Sequence, residues 1–437
     1  MNSRSIALKV LNRVFNEGAY SNLVLSHELN NSTLNDKDKA LVTEIVYGTI
    51  RRKRTLDTLI SSFVRDIKIM DKRVLNILRI AFYQLKFLDK VPSYAACNEA
   101  VEQAKKISDK SSKLVNGILR TYGKKGESSL KFQNNIYKLA YEYSFEPWLI
   151  RLFISQYGED KAIKILEGLN YTPKVTVRVN SLKGEFDEVF EELEKSGYNV
   201  EEGFIAPEAI SITGGKSIEN NEIFNEGKIT VQDESAMLVA PLLDLNEGET
   251  VLDLCSAPGG KTTHIAEILN NTGKVLAFDL HENKLGLISE NCKRLGIENV
   301  TLNEMDATKL DVSLIGIADK VLIDVPCSGI GIIKRKPEIK WNKNRNELKE
   351  IVKIQREIME TSWQYVKNGG TIVYSTCTLN KEENESNIEW FLNKHKNAKL
   401  EEVFIGKGDN LIYNSGMLTV LPNEYMDGFF MAKLKKI

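Results

Sequence analysis

Apolar residues recur every three to four positions through most of residues 1–128, which is the spacing of amphipathic helices. In KRVLNILRIAFYQLKFLDK, the apolar face is formed by Leu75, Leu78, Phe82, Leu85 and Leu88. In PSYAACNEAVEQAKKI, Ala96, Ala100 and Ala104 repeat this spacing, and Pro92 stands near the start, where proline suits a first helical turn. Residues 1–128 are therefore predicted to form an all-α bundle.

The pattern changes after TYGKKGESS (121–129), whose glycine, serine and lysine content is typical of a linker. A helix is predicted around EPWLIRLFISQYG, and KVTVRVN then alternates valines with polar residues, as a half-exposed strand does. An amphipathic helix at 185–196 and two more short strands complete a small α+β module over residues 129–238. Arg178 falls on the polar face of the strand, where it is either a phosphate contact or a plain surface arginine.

Residues 239–437 alternate short apolar runs with helical stretches, which is the pattern of a doubly wound parallel sheet. The runs predicted as strands are 250–255, 274–279, 299–303, 319–325 and 371–376. The fold predicted for the whole chain is multidomain, with an all-α bundle, a small α+β module and an α/β Rossmann-like domain. Ligands of such a sheet bind at the carboxyl ends of its strands, so the residues that follow each run are the candidates for function.

The first three strands end in residues that suit a nucleoside. CSAPGGK (255–261) is a tight glycine turn at a helix start, where backbone N–H groups can meet a ligand. A phosphate-binding P-loop needs glycine five residues before Gly260, and Cys255 stands there, so a nucleoside triphosphate site is disfavoured. Asp279 ends the second strand, where an acid accepts hydrogen bonds from a ribose, and Asp306 follows the third, placed to meet an adenine edge.

The fourth and fifth strands each end at a cysteine. DVPCSG places Asp324 at the end of the fourth strand and Cys327 just after it, and VYSTC places Cys377 after the fifth. Free cysteine is usually a small buried hydrophobe, so position alone favours core packing for Cys377. If the two strands are neighbours, however, both thiols face one pocket, and that arrangement favours chemistry.

Charge is distributed unevenly along a chain of 437 residues whose net charge is only −1. Residues 1–130 hold 23 Lys and Arg against 13 Asp and Glu, a net of +10, whereas residues 131–437 hold 36 against 47, a net of −11. A basic front indicates a polyanionic partner, or else only a solvated helical surface. Besides Arg178, the candidate phosphate contacts are Arg51, Arg52, Lys53, Arg54, Lys334, Arg335 and Lys336.

Other kinds of site and location are disfavoured. The five cysteines include no CxxC pair and the four histidines are scattered, so neither disulfides nor a metal site is predicted. No apolar run approaches the roughly 20 residues that cross a bilayer, and MNSRSIALKVLNRVF has no apolar signal-peptide core. We therefore expect a cytoplasmic protein with no membrane partner.

Six stretches resemble the RNA cytosine-5 methyltransferases of the NOL1/NOP2/Sun family. They are QDESAMLV (232–239), DLCSAPGGKT (253–262), DVPCSGIG (324–331), KPEIKW (336–341), STCTLNKEENE (375–385) and LPNEYMDGFFMAKL (421–434). VPSYAACNEAVEQAK (91–105) and KLVNGILR (113–120) are similar to a NusB-type RNA-binding domain. One departure is Ser256, because the family's motif often has alanine there. The resemblance covers essentially the full chain and implies a division into domains at 1–128, 129–238 and 239–437.

The resemblance implies that a methyl group passes from S-adenosylmethionine to C5 of a cytosine in 16S ribosomal RNA. Cys377 would add to C6 as the nucleophile, since a thiolate adduct makes C5 reactive toward the methyl group. Cys327 would assist elimination as a base, and Asp324 would recognise the cytosine and stabilise its charge. The cofactor contacts implied are Cys255, Ser256, Ala257, Pro258, Gly259, Gly260, Lys261, Asp279, Asp306 and Asp324.

The same resemblance implies a monomer that acts on free or early-assembly 16S RNA. Two alternatives stay open. The chain would be a cytosine-5 methyltransferase for transfer RNA or another ribosomal site, or a NusB-like RNA-binding factor whose methyltransferase half is inert. The second alternative requires damaged strand ends, and the sequence shows none.

Overall fold

The computed structural model describes residues 2–127, 130–214 and 218–437. The chain forms two compact units, the first of residues 1–166 and 335–342 and the second of residues 167–334 and 343–437. Across the described ranges, none of the helices combines the length and the apolar character that crossing a bilayer requires.

Helices build the described part of the first unit, as the apolar spacing predicts. They are α1 (Ser3–Glu17), α2 (Ser21–Asn30), α3 (Asp36–Arg51), α4 (Lys53–Ser61), α5 (Lys72–Phe87), α6 (Ser93–Lys105), α7 (Asp109–Lys125), α8 (Asn135–Glu142) and α9 (Pro147–Tyr157), and α10 (Glu159–Gly168) runs into the second unit. Leu78 and Phe82 of α5 are fully buried in the core of this bundle. The predicted linker at 121–129 is wrong for residues 121–125, which continue α7, and Ser128 and Ser129 lie outside the described residues.

The second unit contains a small antiparallel sheet with strand order β2-β3-β1-β4. Its strands are β1 (Val175–Val179), β2 (Asn199–Glu202), β3 (Ala209–Gly214) and β4 (Ile229–Val231), and α11 (Phe186–Lys195), α12 (Glu222–Asn225) and α13 (Glu234–Met237) accompany them. Val177 and Val179 pack against Val189 of α11 in an apolar core. This arrangement confirms the small α+β module.

A larger sheet with the order β11-β12-β13-β9-β8-β5-β6-β7 forms the rest of the second unit. Five strands are parallel and confirm the five predicted runs: β5 (Thr250–Asp253), β6 (Lys274–Asp279), β7 (Val300–Glu304), β8 (Ala318–Asp324) and β9 (Val366–Thr376). The helices of this region are α14 (Gly260–Ile268), α15 (Glu282–Leu295), α16 (Ile339–Asn342, which belongs to the first unit), α17 (Arg345–Tyr365) and α18 (Glu385–Lys394). The alternation of strands and helices confirms the Rossmann-like prediction.

Four further strands extend this sheet in antiparallel fashion and were not foreseen from the apolar pattern. They are β10 (Ala398–Glu401), β11 (Leu411–Asn414), β12 (Met417–Val420) and β13 (Phe429–Lys436), and β13 lies between β9 and β12. The hairpin from β11 to β12 turns at Ser415 and Gly416, which both have positive φ, as tight hairpin turns require. The sheet is therefore mixed, with its parallel part on one side.

The segment of residues 335–342 comes from the C-terminal half of the sequence but folds with the first unit. The buried Lys340 amine donates to the carbonyl oxygens of Arg51 and Ser144, each at 3.1 Å. The Trp341 indole donates to the carbonyl oxygen of Ile50 at 2.9 Å. Burial, together with Arg52 and Arg51, lowers the pKa of Lys340 well below its ordinary value.

Arg178 does not lie on an exposed face of β1, because both faces of this strand are buried beyond its first residue. Its guanidinium is fully buried and donates to both carboxylate oxygens of Glu267, at 3.0 and 2.7 Å. It also donates to the carbonyl oxygen of Gly260 at 2.8 Å and to Thr263 at 3.1 Å. The expectation of a phosphate contact or a surface arginine is wrong here, since Arg178 instead fixes the first turns of α14.

We predict that replacing Arg178 with methionine destabilises the second unit by about 3–5 kcal/mol, because Glu267 would keep a buried charge without its partner. The urea dependence of far-UV circular dichroism on the full chain measures this change. Arg345→Met, an exposed arginine at the start of α17, is the matched control and is expected to change stability by less than about 0.5 kcal/mol. Equal effects of the two substitutions would contradict the structural role of Arg178.

Candidate active site

The candidate site lies where β5 and β8 end side by side. The chain runs from β5 outward to β6 and β7, whereas β8 and β9 lie on the other side of β5. Such a reversal of strand order opens a crevice at the carboxyl ends of the strands. A cavity of about 260 Å³ lies there, and its lining includes Cys255, Asp279, Asp306 and Asp324. A second cavity of about 220 Å³ shares Cys255 and Asp324 with the first.

The glycine turn borders the second cavity with its backbone. Gly259 has φ of 101°, and a Cβ atom there would come within 2.9 Å of the Ile288 side chain. The turn is closed by the Gly259 N–H, which donates to the carbonyl oxygen of Ser256 at 2.7 Å. The Ser256 hydroxyl points to the sheet and donates to the carbonyl oxygen of Phe278. Residues 255–260 therefore offer mainly backbone groups to a ligand, as predicted for a tight turn.

The two acids predicted from the strand ends both line the first cavity. Asp279 accepts hydrogen bonds from the N–H groups of Ala257 (3.3 Å) and His281 (3.1 Å), which ties the glycine turn to the end of β6. Asp306 is paired with Lys309 at 3.0 Å, and hydrogen bonds from Thr308 and Lys309 lower the pKa of this carboxyl.

The wall of the first cavity is otherwise largely apolar, and includes Leu254, Met305, Ile354 and Ile358. The carboxylates of Asp279 and Asp306 can accept from hydroxyl and amine donors, and the apolar residues can pack against a flat ring. The donor set therefore fits an adenosine-type ligand.

Asp253 is a candidate site residue that the reading of the strand ends overlooked. It is buried at the end of β5, and one carboxyl oxygen accepts from the Thr262 hydroxyl at 2.7 Å. Within the described part of the chain, its other oxygen has no hydrogen-bond partner, and Asp253 borders the second cavity. Burial raises the pKa of Asp253 to about 7, and the charge of Asp324 adds to this effect. The sequence contained one signal that could have identified Asp253, namely that it is an acid at the end of the first parallel strand.

Asp324 is held between a cation and a hydroxyl. The Lys261 amine lies 2.7 Å from one of its oxygens, and the Ser375 hydroxyl donates to the other at 2.7 Å. Burial alone would lower the pKa of Lys261, but Asp324 and Cys377 together raise it above its ordinary value. The Lys261 amine also lies 5.2 Å from the centre of the Phe429 ring. Lys261 thus orients Asp324 and stays charged.

Cys327 and Cys377 meet at the ends of neighbouring strands, as predicted. Strands β8 and β9 pair in parallel, and the two sulfur atoms are 3.1 Å apart, which is a hydrogen bond and not a disulfide. The hydrogen bond to Cys377, burial and the negative charges of Cys377, Glu383 and Asp324 raise the pKa of Cys327 well above its ordinary value. The raised pKa favours the protonated form of Cys327, whose sulfur lies within hydrogen-bond distance of the Cys377 sulfur.

The basic residues predicted to contact phosphate do not share one kind of environment. Lys334 is buried, donates to the carbonyl oxygen of Met426 at 2.7 Å and pairs with Asp427 at 3.3 Å, so the prediction that it contacts phosphate is wrong. Arg51 is also buried. The half-buried members are Arg52, Lys53, Arg54 and Arg335, and Lys336 is exposed. Burial excludes Arg51, Arg178 and Lys334 from an open basic surface.

Comparison with known families divides the chain in the same order as its sequence motifs. Residues 240–435 match the family described as 16S rRNA methyltransferase RsmB/F. Residues 1–124 match the NusB family, and residues 145–219 match the ferredoxin-like domain of the RsmF/B-like methyltransferases. The predicted NusB-like and methyltransferase parts are confirmed, while the precise limits 128/129 and 238/239 stay predictions.

Curated relatives match over nearly the full length. The chain is 37% identical over 440 residues to the probable ribosomal RNA small subunit methyltransferase B of Bacillus subtilis strain 168, covering 99% of this chain and 98% of that protein. It is 34% identical to the ribosomal RNA small subunit methyltransferase B of Proteus mirabilis, covering 100% of this chain and 99% of that protein.

Solved structures give the same result. PH0851 superposes with a TM-score of 0.84 at 30% identity, covering 99% of this chain and 97% of that chain. NSun6 from Pyrococcus horikoshii, solved with the S-adenosylmethionine analogue SFG, gives a TM-score of 0.61 at 26% identity and covers 68% of this chain and 99% of that chain. The chain therefore belongs to the ribosomal RNA small subunit methyltransferase B family and is an S-adenosylmethionine-dependent methyltransferase.

Proposed function

We propose that this enzyme methylates C5 of a cytosine in 16S ribosomal RNA through a covalent bond between Cys377 and C6 of the base. The observation that carries the proposal is the pair of thiols, 3.1 Å apart, whose strands end beside the nucleoside-sized cavity. One thiol suffices to activate a base, and a second one accounts for its release. The names of the curated relatives support small-subunit ribosomal RNA as the substrate.

The cofactor, when bound, supplies an electrophilic methyl group on its sulfonium. Asp306 would accept from the adenine amine of the cofactor and Asp279 from its ribose hydroxyls, because both acids line the first cavity. The backbone of residues 255–261 borders the methionine part. The carboxyl group of Asp253 would accept from the ammonium group of this part, because Asp253 borders the same cavity as the turn.

Cys377 and Asp324 would activate the base together. After the Cys377 thiol has lost its proton to solvent, its sulfur would form a bond to C6, and the electron pair displaced from the ring would make C5 nucleophilic toward the methyl group. Asp324, oriented by Lys261 and Ser375, would accept from the exocyclic amine and, in its protonated form, would donate to N3, where negative charge builds up. After transfer, C5 carries both the new methyl group and its original proton.

Cys327 would then release the product. Its thiol first loses a proton to solvent, and the resulting thiolate takes the proton from C5. The electron pair of that C–H bond re-forms the C5–C6 double bond, and the C6–S bond breaks with its electrons on Cys377. This sequence restores both sulfurs and leaves 5-methylcytosine.

The proposed RNA target is a looped or single-stranded segment, because an unpaired base leaves its stack at little cost. The basic helical front and the NusB match support docking of free or early-assembly 16S RNA. We propose that the enzyme acts as a monomer in the cytoplasm, where bacterial ribosomal RNA is assembled.

The first test separates the roles of the two cysteines. We expect Cys327→Ala to accumulate a covalent RNA adduct that survives a denaturing gel, because the C5 proton stays in place. Cys377→Ala is expected to form none, since the bond to C6 needs its sulfur. Cys97→Ala, a half-buried thiol of the first unit, is the control and should turn over as the unmodified enzyme does. An adduct with Cys377→Ala would reverse the assignment.

The second test concerns the cofactor. Replacing Asp279 with alanine is expected to weaken S-adenosylmethionine binding by about tenfold to a hundredfold, because hydrogen bonds to a charged acceptor are lost. Isothermal titration calorimetry without RNA measures the dissociation constant. Glu282→Ala, an exposed acid at the start of α15, is the matched control. Unchanged affinity of Asp279→Ala would remove this residue from the site.

The third test addresses the substrate. Incubation with unmodified 16S transcript should yield 5-methylcytosine at one position, mapped by bisulfite sequencing, whereas a transfer RNA pool should stay unmodified. Methylation of transfer RNA alone would support the first alternative. Binding of 16S RNA and cofactor without any methylation would support the second alternative, an inert methyltransferase half.

A further inference from the structure

A buried carboxylate lies beside the two cysteines and has no part in the reaction described so far. Glu383 follows Cys377 by six residues and is fully buried. One of its oxygens accepts from the Ser328 hydroxyl (2.6 Å) and the Asn380 amide (3.1 Å). The other accepts from the Ser328 N–H (2.8 Å) and the Gln355 amide (3.1 Å). Four neutral donors therefore hold one negative charge in the protein interior.

Hydrogen bonds of this network hold the residues on both sides of Cys327. Glu383 binds the backbone and the side chain of Ser328, the residue after the cysteine. Gln355 uses its second amide hydrogen to bind the carbonyl oxygen of Pro326, the residue before it, at 3.0 Å. Asn387 donates to the oxygen of Gln355 at 2.9 Å and so fixes which way this amide faces. The backbone of Cys327 is thus clamped against α17 and the start of α18.

The same network reaches the residue after Cys377. Ser328 has one hydroxyl hydrogen and gives it to Glu383, so the Thr378 hydroxyl must donate to the Ser328 oxygen, at 2.7 Å. The N–H of Asn380 donates in turn to the Thr378 oxygen at 3.3 Å. The charge of Glu383 therefore sets the direction of a hydrogen-bond chain that connects the two cysteine-bearing loops.

We propose that Glu383 is a positioning residue for Cys327, an inference that rests on the proposed function. It holds this sulfur where it can take the C5 proton while Cys377 is bonded to C6. The step itself moves the proton from C5 to the Cys327 sulfur, returns its electron pair to the C5–C6 bond and frees Cys377. Loss of Glu383 therefore slows release of the methylated base more than it slows methyl transfer.

The charges around Cys327 support this role. Among the described residues, Cys377, Glu383, Asp324 and Tyr374 interact electrostatically with Cys327, and the positive charge nearby is Lys261, which is paired with Asp324. The hydrogen bond and the charge of Cys377 vanish once its sulfur is bonded to carbon, so the pKa of Cys327 falls at that stage. Burial, Glu383 and Asp324 persist and keep the Cys327 thiolate a strong base.

The first experiment compares two rates in Glu383→Gln on the full chain with a cytosine-containing 16S fragment. We expect decay of the covalent adduct to slow about tenfold or more, since a hydrogen bond to a charged group is lost. Single-turnover methyl transfer should change by less than about twofold. Glu382→Gln, the same substitution at the exposed neighbour, should leave both rates unchanged. Equal slowing of both rates in Glu383→Gln would mean a merely structural role and would overturn the proposal.

A second and less disruptive variant tests the proposal in case Glu383→Gln does not fold. Ser328→Ala removes the hydroxyl contact and keeps the N–H contact to Glu383. It is expected to slow adduct decay in the same direction by a smaller factor. Adduct decay at the unmodified rate in Ser328→Ala would count against the clamp.

The second experiment needs neither RNA nor catalysis. In a Cys377→Ser background, the pH dependence of Cys327 alkylation by iodoacetamide is followed by peptide mass spectrometry. Adding Glu383→Gln should shift the alkylation midpoint to lower pH by about one unit, because a neighbouring negative charge is removed. An unchanged midpoint would overturn the proposal. If the midpoint shifts but no variant forms an RNA adduct, the proposed covalent chemistry fails and the placement of Glu383 beside Cys327 stands.

Discussion

The parallel register of β8 and β9 is the constraint from which the geometry of the site follows. It sets Asp324 opposite Ser375, so the two strands leave the sheet at the same level. Beyond this level, each strand is followed by a loop that carries a cysteine: Cys327 is three residues after Asp324, and Cys377 is two residues after Ser375. A slip of one residue would move the side chains of one strand, such as Val321 or Ile372, from the core on one face of the sheet into the core on the other, where they do not fit. Core packing on both faces therefore fixes the distance between the two sulfurs.

Buried charges then hold the loops around this register. Arg178 ties the small sheet to the first turns of α14, Lys261 orients Asp324, and Glu383 grips the loop of Cys327. Each charge is costly to bury. Several hydrogen bonds offset this cost for Arg178 and Glu383, and the ion pair with Asp324 offsets it for Lys261. Hydrophobic residues of equal volume at these positions would pack as tightly, but they would form no directional hydrogen bonds to hold the loops in one conformation. In this enzyme we infer that these charges serve specificity of geometry more than stability.

Local patterns predict the framework of the site well. Apolar runs marked the five parallel strands, and the polar residues after them marked Asp279, Asp306 and the two cysteines, because strand ends of a parallel sheet converge. The prediction of a half-exposed β1 was wrong. Alternation of apolar and polar residues shows that the two faces of a strand differ in polarity, but it does not show that the polar face is exposed to solvent. Arg178 is buried against Glu267, 89 positions away, and Lys334 against Asp427. No local pattern reports such partners.

The same limit explains the other differences. Glycine and lysine at 121–125 suggested a linker, but packing of α7 on α6 outweighs the weak helix propensity of one glycine. The motif KPEIKW was visible, yet nothing in its residues indicates that Lys340 and Trp341 bind backbone carbonyls of the first unit. The burial of Glu383 could not be predicted from the sequence either, because an acid in a polar stretch normally faces solvent.

Two thiols in contact titrate as a pair, and this coupling allows one site to supply a nucleophile and later a base. In the free enzyme, the hydrogen bond to Cys377 and the negative charge of that sulfur when it is ionised raise the pKa of Cys327, so Cys327 favours its protonated form. In the proposed reaction, the bond from Cys377 to carbon removes both that charge and that acceptor. The proton on Cys327 is then held less tightly, although no atom of the protein needs to move. The order of the two chemical roles therefore follows from the bonding state of one sulfur, provided that the loops keep the sulfurs in contact.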